Sequence, residues 1–528
     1  MRANFLIGAT LVGVCAMPTS SGANNTDHQE FDTVLQAPFH GGSNGTRVLS
    51  LHFSQQQGRI RWRLDLLAAR KDTVLRSWQG ERSLGGTVTL PWQASAATPN
   101  GLYRLRLRAS LDNDQHTEQI WPVTVGVAPP AIATPSLAAP PAAQLAESAP
   151  WDIYLGNLHS QTGHSDGGGA LGQCSGAQPP QSAPLGPSDA YAYAQQRRLD
   201  FLLTSDHNHM YDGSDGTNAN ADPAAVRALY QNGLHQAATW NLNQRGLLAL
   251  YGQEWGVMGI GGNGGHLNIL NSNELLGWER NARGALLADT ETPKSDYAGL
   301  YALMRRRGWF GQFNHPQRGQ FAIAGQPLAW STDGDQAMLL CEVVNSHAFS
   351  NSSDESETRR SNFEAGCNAL LEAGYHLAFS SNQDNHCANW GASYTNRTGV
   401  LLPKGLPLDT DNFLAALQAR RVYATMDKQA QLIFTANGHV MGERFTNRGK
   451  LILKPAYASK TGRSVAAVAI FHGVPGRNGR VSMLNNKTRA TATTITPSPG
   501  AHFYYARVTQ DDGKMLWSAP VWVTQLQR

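Results

Sequence analysis

The sequence predicts an α/β layer or barrel held between two β-sandwiches. Three observations point there. Residues 32–128 alternate apolar and charged side chains with a period of two. Residues 150–426 alternate short apolar runs with amphipathic stretches, and most of those runs end on His, Asp or Glu. Residues 427–528 return to alternating runs broken by turn signals. A chain of 528 residues is also too long for one core, so several domains are expected.

Residues 1–23 hold Arg2, an apolar run from Phe5 to Val14 and small residues ending at Ala23. This is the pattern of a secretory signal peptide cut after Ala23. The run is too short to anchor in a bilayer, and no later segment is long and apolar enough to cross one. The expectation is therefore an exported chain, periplasmic or secreted. Cys15, in "LVGVC", offers lipid anchoring as the alternative.

Residues 32–128 contain "IRWRLDL", with Ile60, Trp62, Leu64 and Leu66 on one side, and "YRLRLRA", with Tyr103, Leu105, Leu107 and Ala109. Such strands bury one face each, and a small immunoglobulin-like sandwich is their natural packing. Residues 129–149 are rich in Pro and Ala and read as a semi-extended linker.

From Trp151 onward the runs "FLLT", "LLALYG", "HLNIL", "WFGQF", "MLLCEVV" and "HLAFS" read as strands with helices between them. In "SDYAGLYALMRRRG", Ser295 is the expected N-cap, Tyr297, Leu300, Tyr301 and Met304 share a face, and Gly308 ends the helix. In the last region Asp512-Gly513 is expected to turn a hairpin within a second sandwich.

Composition narrows the function. The formal net charge is +4 with no block of Lys or Arg, so nucleic acid is not an expected partner. Gly 53 and Pro 26 favour turns and loops over long helices. Four cysteines remain after Cys15, without CxxC spacing, so a zinc-cysteine site is not expected. They allow three pairings. Cys174 with Cys387 is favoured because both follow candidate metal motifs, and free buried thiols are the alternative.

The chemistry lies at the strand ends. "GNLHSQTGHSDGGG" brings His159, Gln161, His164 and Asp166 together. Asp206-His207-Asn208-His209 follows "DFLLTS", Glu254 follows "LLALYGQ", and His266 opens "GHLNIL". Asn314-His315-Pro316 follows "WFGQF", and Asp384-Asn385-His386 follows "HLAFSSNQ". Strand C-termini are where active sites of α/β layers assemble. Imidazole with carboxylate suits Zn²⁺, Mn²⁺ or Fe. A lone residue of this kind is usually a cap or an ion-pair partner. Five consecutive strand ends with ligand-type residues indicate a polynuclear site.

In order, "NLHSQTGHSDG", "TSDHN", "GQEWG", "GHLNIL", "NHP" and "SNQDNH" resemble the motifs of the PHP (polymerase and histidinol phosphatase) superfamily of metallohydrolases, and more narrowly its carbaryl-hydrolase-like branch. The resemblance covers about Tyr154 to Thr425. It implies a distorted seven-stranded β/α barrel with two or three divalent ions, Zn, Mn or Fe. One ion would take His159, Glu254 and Asp384, with Gln161 beside them. A second would share Glu254 and add His266 and His315. A third would take Asp166, His207 and His386. The family pattern in the first motif is H-x-H, and Gln161 departs from it. An amide oxygen is the weaker ligand, so one ion is expected to be looser or missing. His164 is expected beside Asp166 or substrate, and His209 in an exposed loop.

The implied activity is hydrolysis of a small-molecule ester, a phosphoester first, by a metal-bridging hydroxide. Asp384 would orient that group or take its proton, His207 would serve the leaving group, and Arg318 would meet a substrate phosphate. Hydrolysis of a carbamate or carboxylic ester is the second expectation. A non-catalytic binding module is the third, and Gln161 is its support.

Overall fold

The computed structural model describes residues 31, 33–42, 45–54, 58–83, 85–94, 98–112, 115–127, 150–243, 246–258, 264–476 and 481–527. The expected signal peptide, Cys15 and the expected linker over 129–149 lie outside the described residues. No helix among the described residues is long and apolar enough to cross a membrane.

Two antiparallel sheets form the N-terminal unit. One orders Thr33–Gln36, Thr46–Phe53 and Gly86–Gln93. The other orders Val74–Arg82, Ile60–Ala68, Gly101–Leu111 and His116–Val125. Period-two alternation turns Ile60, Trp62, Leu64, Leu66, Leu105 and Leu107 inward, where they meet Leu49, Leu51 and Phe53. Asp65 is fully buried in the second sheet, and it accepts hydrogen bonds from Ser77, Arg63, Arg106 and Arg108. Burial works against its charge, but the Ser77 hydroxyl and the arginines outweigh it and lower its pKa to about 2.

The central region is mixed in strand direction. Trp151–Asn157, Phe201–His207 and Leu248–Trp255 lie parallel in succession. Leu267–Leu270 then runs antiparallel to both Leu248–Trp255 and Phe310–Phe313. Phe310–Phe313, Met338–Ser346 and Ala378–Asn382 are again parallel. Arg397–Pro403 pairs antiparallel with Trp151–Asn157 and with Val422–Thr425. Val422–Thr425 pairs in turn with Met515–Ser518, so one 16-stranded sheet runs from the central region into the C-terminal one.

This corrects the α/β barrel expected from the sequence. Strands hold 43% of the structure and helices 15%, and the described residues form no helix-rich barrel. Helices Pro223–Asn243, Tyr297–Arg307, Thr332–Ala337 and Glu364–Ala373 do lie between the strand runs, but long loops accompany them. Segments 158–186, 314–331 and 383–396 contain no α-helix, and Gly, Pro, Asn and Ser make turns there instead. The helices among the described residues are Pro187–Gln196, Pro223–Asn243, Tyr297–Arg307, Thr332–Ala337, Glu364–Ala373 and Thr410–Gln418. Strands buried on both faces read as continuous apolar runs, which suggested a helix-covered sheet. Here loops and the C-terminal sheets supply much of that cover.

Helix Tyr297–Arg307 buries Tyr297, Leu300, Tyr301 and Met304 and ends at Gly308 in the left-handed region. Its N-cap is Asp296 rather than Ser295. The Asp296 carboxylate accepts from Gly299 N, and a charge there also meets the positive end of the helix. The C-terminal residues add a sheet ordered His439–Val440, Ala430–Ala436, Leu451–Ser459, Thr493–Ile495. Its Leu432, Phe434, Leu451 and Leu453 pack with Ile470, Tyr504 and Val508 of the large sheet. Gly513, with φ 88°, turns the hairpin between Gly500–Gln510 and Met515–Ser518. Disulfides join Cys174 to Cys387, the pairing favoured from the sequence, and Cys341 to Cys367.

Candidate metal centre

Seven strands deliver side chains to one buried point. His159 follows Trp151–Asn157, His207 ends Phe201–His207, and Glu254 stands one residue before the end of Leu248–Trp255. His266 immediately precedes Leu267–Leu270, and His315 follows Phe310–Phe313 by two residues. Glu342 lies within Met338–Ser346, and Asp384 and His386 follow Ala378–Asn382. All eight are buried.

Glu254 is the hub. His159 Nε2 lies 2.8 Å and His207 Nδ1 3.6 Å from its Oε2. His266 Nδ1 lies 3.1 Å and His315 Nε2 3.5 Å from its Oε1. Asn314 Nδ2 donates to Oε1 at 2.8 Å, which fixes the carboxylate's plane. Nearby, Asp166 stands 3.4 Å from His386 Nε2 and 3.9 Å from His207 Nε2. Asp384 Oδ1 lies 3.1 Å from His159 Nε2 and 3.8 Å from His386 Nδ1, linking the two groups.

These residues fit divalent ions. Three triads have donor atoms within 4.8 Å of one another: His159, Glu254 and His315; Asp166, His207 and His386; His207, Glu254 and His266. Ligand atoms about 2.1 Å from a tetrahedral ion stand about 3.4 Å apart, so the Asp166 group has the spacing of a site already. The His159–Glu254 pair is closer and would separate slightly around an ion. The field also favours positive charge. Burial opposes a proton on His159, yet Asp384, Glu254 and Glu342 hold its pKa well above the ordinary imidazole value. His386 is pushed up to about 10, against burial, by Asp166 and Asp384. Glu254 is held well below the usual carboxylate range, against burial, by His159, His207 and His266.

The loop from His159 to Asp166 is pinned from behind. Asp206 accepts from Thr162 N at 2.7 Å and from Ser165 Oγ at 2.8 Å. Gly168, with φ 76°, turns the loop where an added Cβ would stand 2.2 Å from Leu185 O. The Cys174–Cys387 disulfide and the bond from Gly169 N to His386 O clip this loop to the Asp384–His386 segment. His315 and Asp384 both have positive φ, 31° and 49°, an uncommon backbone state for such residues.

The structure brings His159, Gln161, Asp166, His207, Glu254, His266, His315, Asp384 and His386 together, with corrections in detail. His315 groups with His159 as well as facing Glu254. Gln161 donates from Nε2 to Glu254 Oε2 at 2.6 Å, so it does not present its oxygen as a ligand. His207 is enclosed between Asp166 and Glu254. His164 is bonded to Tyr251 Oη at 2.8 Å rather than to Asp166. His209 is buried, bonded to Asp215 and stacked on Trp278, not in an exposed loop. Arg318 is exposed and lines a separate groove with Arg70, Arg106 and Arg507. Its position three residues past His315 fixed its sequence distance from the centre but not its direction.

Sequence reasoning missed Glu342. Its Oε1 lies 3.2 Å from His159 Nδ1, and its Oε2 accepts from His315 N at 3.0 Å. Asn382 Nδ2 donates to Oε1 at 3.1 Å. The available signal was a lone charge inside "MLLCEVV", a run buried along its whole length.

No protein-family model matches the chain. An uncharacterized protein of Chlamydia muridarum (strain MoPn / Nigg) is 30% identical over 127 residues, 21% of this chain and 20% of that protein. One of Chlamydia trachomatis serovar D is 30% identical over 129 residues, with the same shares. The chain thus spans about a fifth of the length of the curated relatives it matches. Among solved structures, fibronectin(III)-like modules of Clostridium thermocellum CbhA share 23% identity over 17% of this chain and 94% of theirs, with a TM-score of 0.14. The Parabacteroides merdae beta-glucuronidase shares 10% identity over 94% of this chain and 65% of its own, with a TM-score of 0.17. At these TM-scores neither likeness assigns a fold or an activity.

Proposed function

We propose that this chain is a divalent-metal-dependent hydrolase of small esters, with the ligand set of the PHP superfamily and phosphoesters as its first substrate class. One observation carries the reading: imidazoles approach both oxygens of Glu254, His159 and His207 at one and His266 and His315 at the other. Asp166, His207 and His386 would hold a further ion. Bound divalent ions supply Lewis acidity toward the ester oxygen and toward water.

The chain's own residues do the rest. Asn314 and Gln161 hold Glu254 in one orientation. Glu342 holds His159 through Nδ1, so that Nε2 faces the centre. Asp384 borders the cavity over the centre, where its carboxylate accepts a proton from an entering water. With divalent ions bound, the charges of Asp166, Glu254, Glu342 and Asp384 would be outweighed, which would suit an anionic phosphoester.

A carboxylic ester or carbamate is the second reading, and the position of Arg318 favours it. With Arg318 in another groove, no Lys or Arg lines the cavity among the described residues, and Gln317, Asn345, Ser346 and Ser361 are neutral donors. A screen of phosphate mono- and diesters beside aryl esters and carbamates separates the two. Full activity in Glu254→Ala would falsify the metal-dependent reading of either.

A further inference from the structure

The mouth of the centre is built partly by the N-terminal unit. A cavity of about 20 Å³ opens onto His315 and Asp384, walled by Phe31, Phe363, Ser361 and Gln317. That is the room of about one water. Phe31 is 1% exposed. Gln317 Nε2 donates to Phe31 O at 3.1 Å, and Gln36 Nε2 donates to Thr358 Oγ1 at 2.7 Å. Asn362 Nδ2 donates to Ile120 O at 3.1 Å, so the segment carrying Ser361 and Phe363 is bound to a second strand of the same unit. The Phe363 ring stands 6.2 Å from that of His315.

We infer that Phe31 is a specificity-determining residue. Its ring is the wall that the N-terminal unit places over His315 and Asp384, and it limits the bulk of the group a substrate can carry past it. The bulk of a substrate stays outside. The bond from Gln317 goes to the backbone of Phe31, so truncating the ring removes the wall and leaves the anchor. The consequence for substrate choice rests on the hydrolase reading, whereas the wall is testable apart from it.

The test is the rate at which diethyl pyrocarbonate modifies His315 in the purified full chain after dialysis against chelator, read by peptide mass spectrometry. Phe31→Ala should speed modification about fivefold or more, with Phe31→Leu between it and the parent. Leu51→Ala weakens the same unit away from the cavity and should leave the rate unchanged. In parallel, the rate on bis(p-nitrophenyl) phosphate relative to methyl p-nitrophenyl phosphate should rise in Phe31→Ala. Parental labelling of His315 in Phe31→Ala, or equal acceleration by Leu51→Ala, overturns the inference. If His315 labelling responds as expected but neither ester is cleaved by any of the chains, the wall stands and the hydrolase reading falls.

Discussion

Gln161 Nε2 donates a hydrogen bond to Glu254 Oε2 at 2.6 Å. A carboxylate only accepts, so the amide must face it with its nitrogen. The other end is also near a partner, since Gln161 Oε1 lies 3.3 Å from Ser165 Oγ. At this position the chain has a clamp on the hub carboxylate. Gln161→Met keeps much of the volume and removes the donor. Titration with Zn²⁺ or Mn²⁺ should show about tenfold weaker binding. Unchanged affinity would show that Glu254 needs no clamp.

Glu342 should act on His159 rather than on substrate. Glu342→Gln keeps the shape but weakens the hold on Nδ1. Metal affinity should fall about 10- to 100-fold. Excess metal should restore much of the ester hydrolysis, because Asp384 and the cavity are untouched. Loss that metal does not restore would give Glu342 a different role.

The Cys174–Cys387 disulfide closes a loop between residues 213 apart and borders His386. Cys174→Ser with Cys387→Ser should cost about 2–4 kcal/mol of stability in denaturant unfolding. It should also weaken the metal held by Asp166, His207 and His386. A double variant as stable as the parent would place that segment under other control.

Asp65 gives the N-terminal unit an acid-sensitive term. Its pKa falls from 3.8 to about 2 on folding, against burial, through Ser77 and the arginines. A lowered folded pKa stabilises above the unfolded value and is lost as pH falls through the folded one. Arg63 and Arg108 are 46% exposed, and solvent screening brings the expected term to about 1 kcal/mol. Parent stability should therefore drop between about pH 4 and pH 2, while Asp65→Asn varies less across that window. Parallel pH profiles for the two chains would contradict this.

The site was legible where polar residues punctuate apolar strands. His207, Glu254, His315 and Asp384 each sit at or near the end of a run, and position along a strand translates directly into place. Glu342 was hidden inside such a run, where a pairing partner is known only after folding. Arg318 and His209 were misplaced because a loop residue's sequence position does not give its direction. The fold class failed for a related reason. Leu248–Trp255 and Leu267–Leu270 pair antiparallel, where strand–helix alternation had suggested parallel neighbours. Asp296 displaced Ser295 as a cap because adjacent residues compete and the carboxylate aligned with Gly299 N.

Metal content tests the central claim most directly. The purified chain and Glu254→Ala should be measured side by side by inductively coupled plasma mass spectrometry after gel filtration. Glu254 is shared by two of the three triads, so the parent should carry two or three divalent ions per chain and the variant one or fewer. A parent with less than one tightly bound ion per chain, or a variant that keeps the parent's full complement, would contradict a metal centre organised by Glu254.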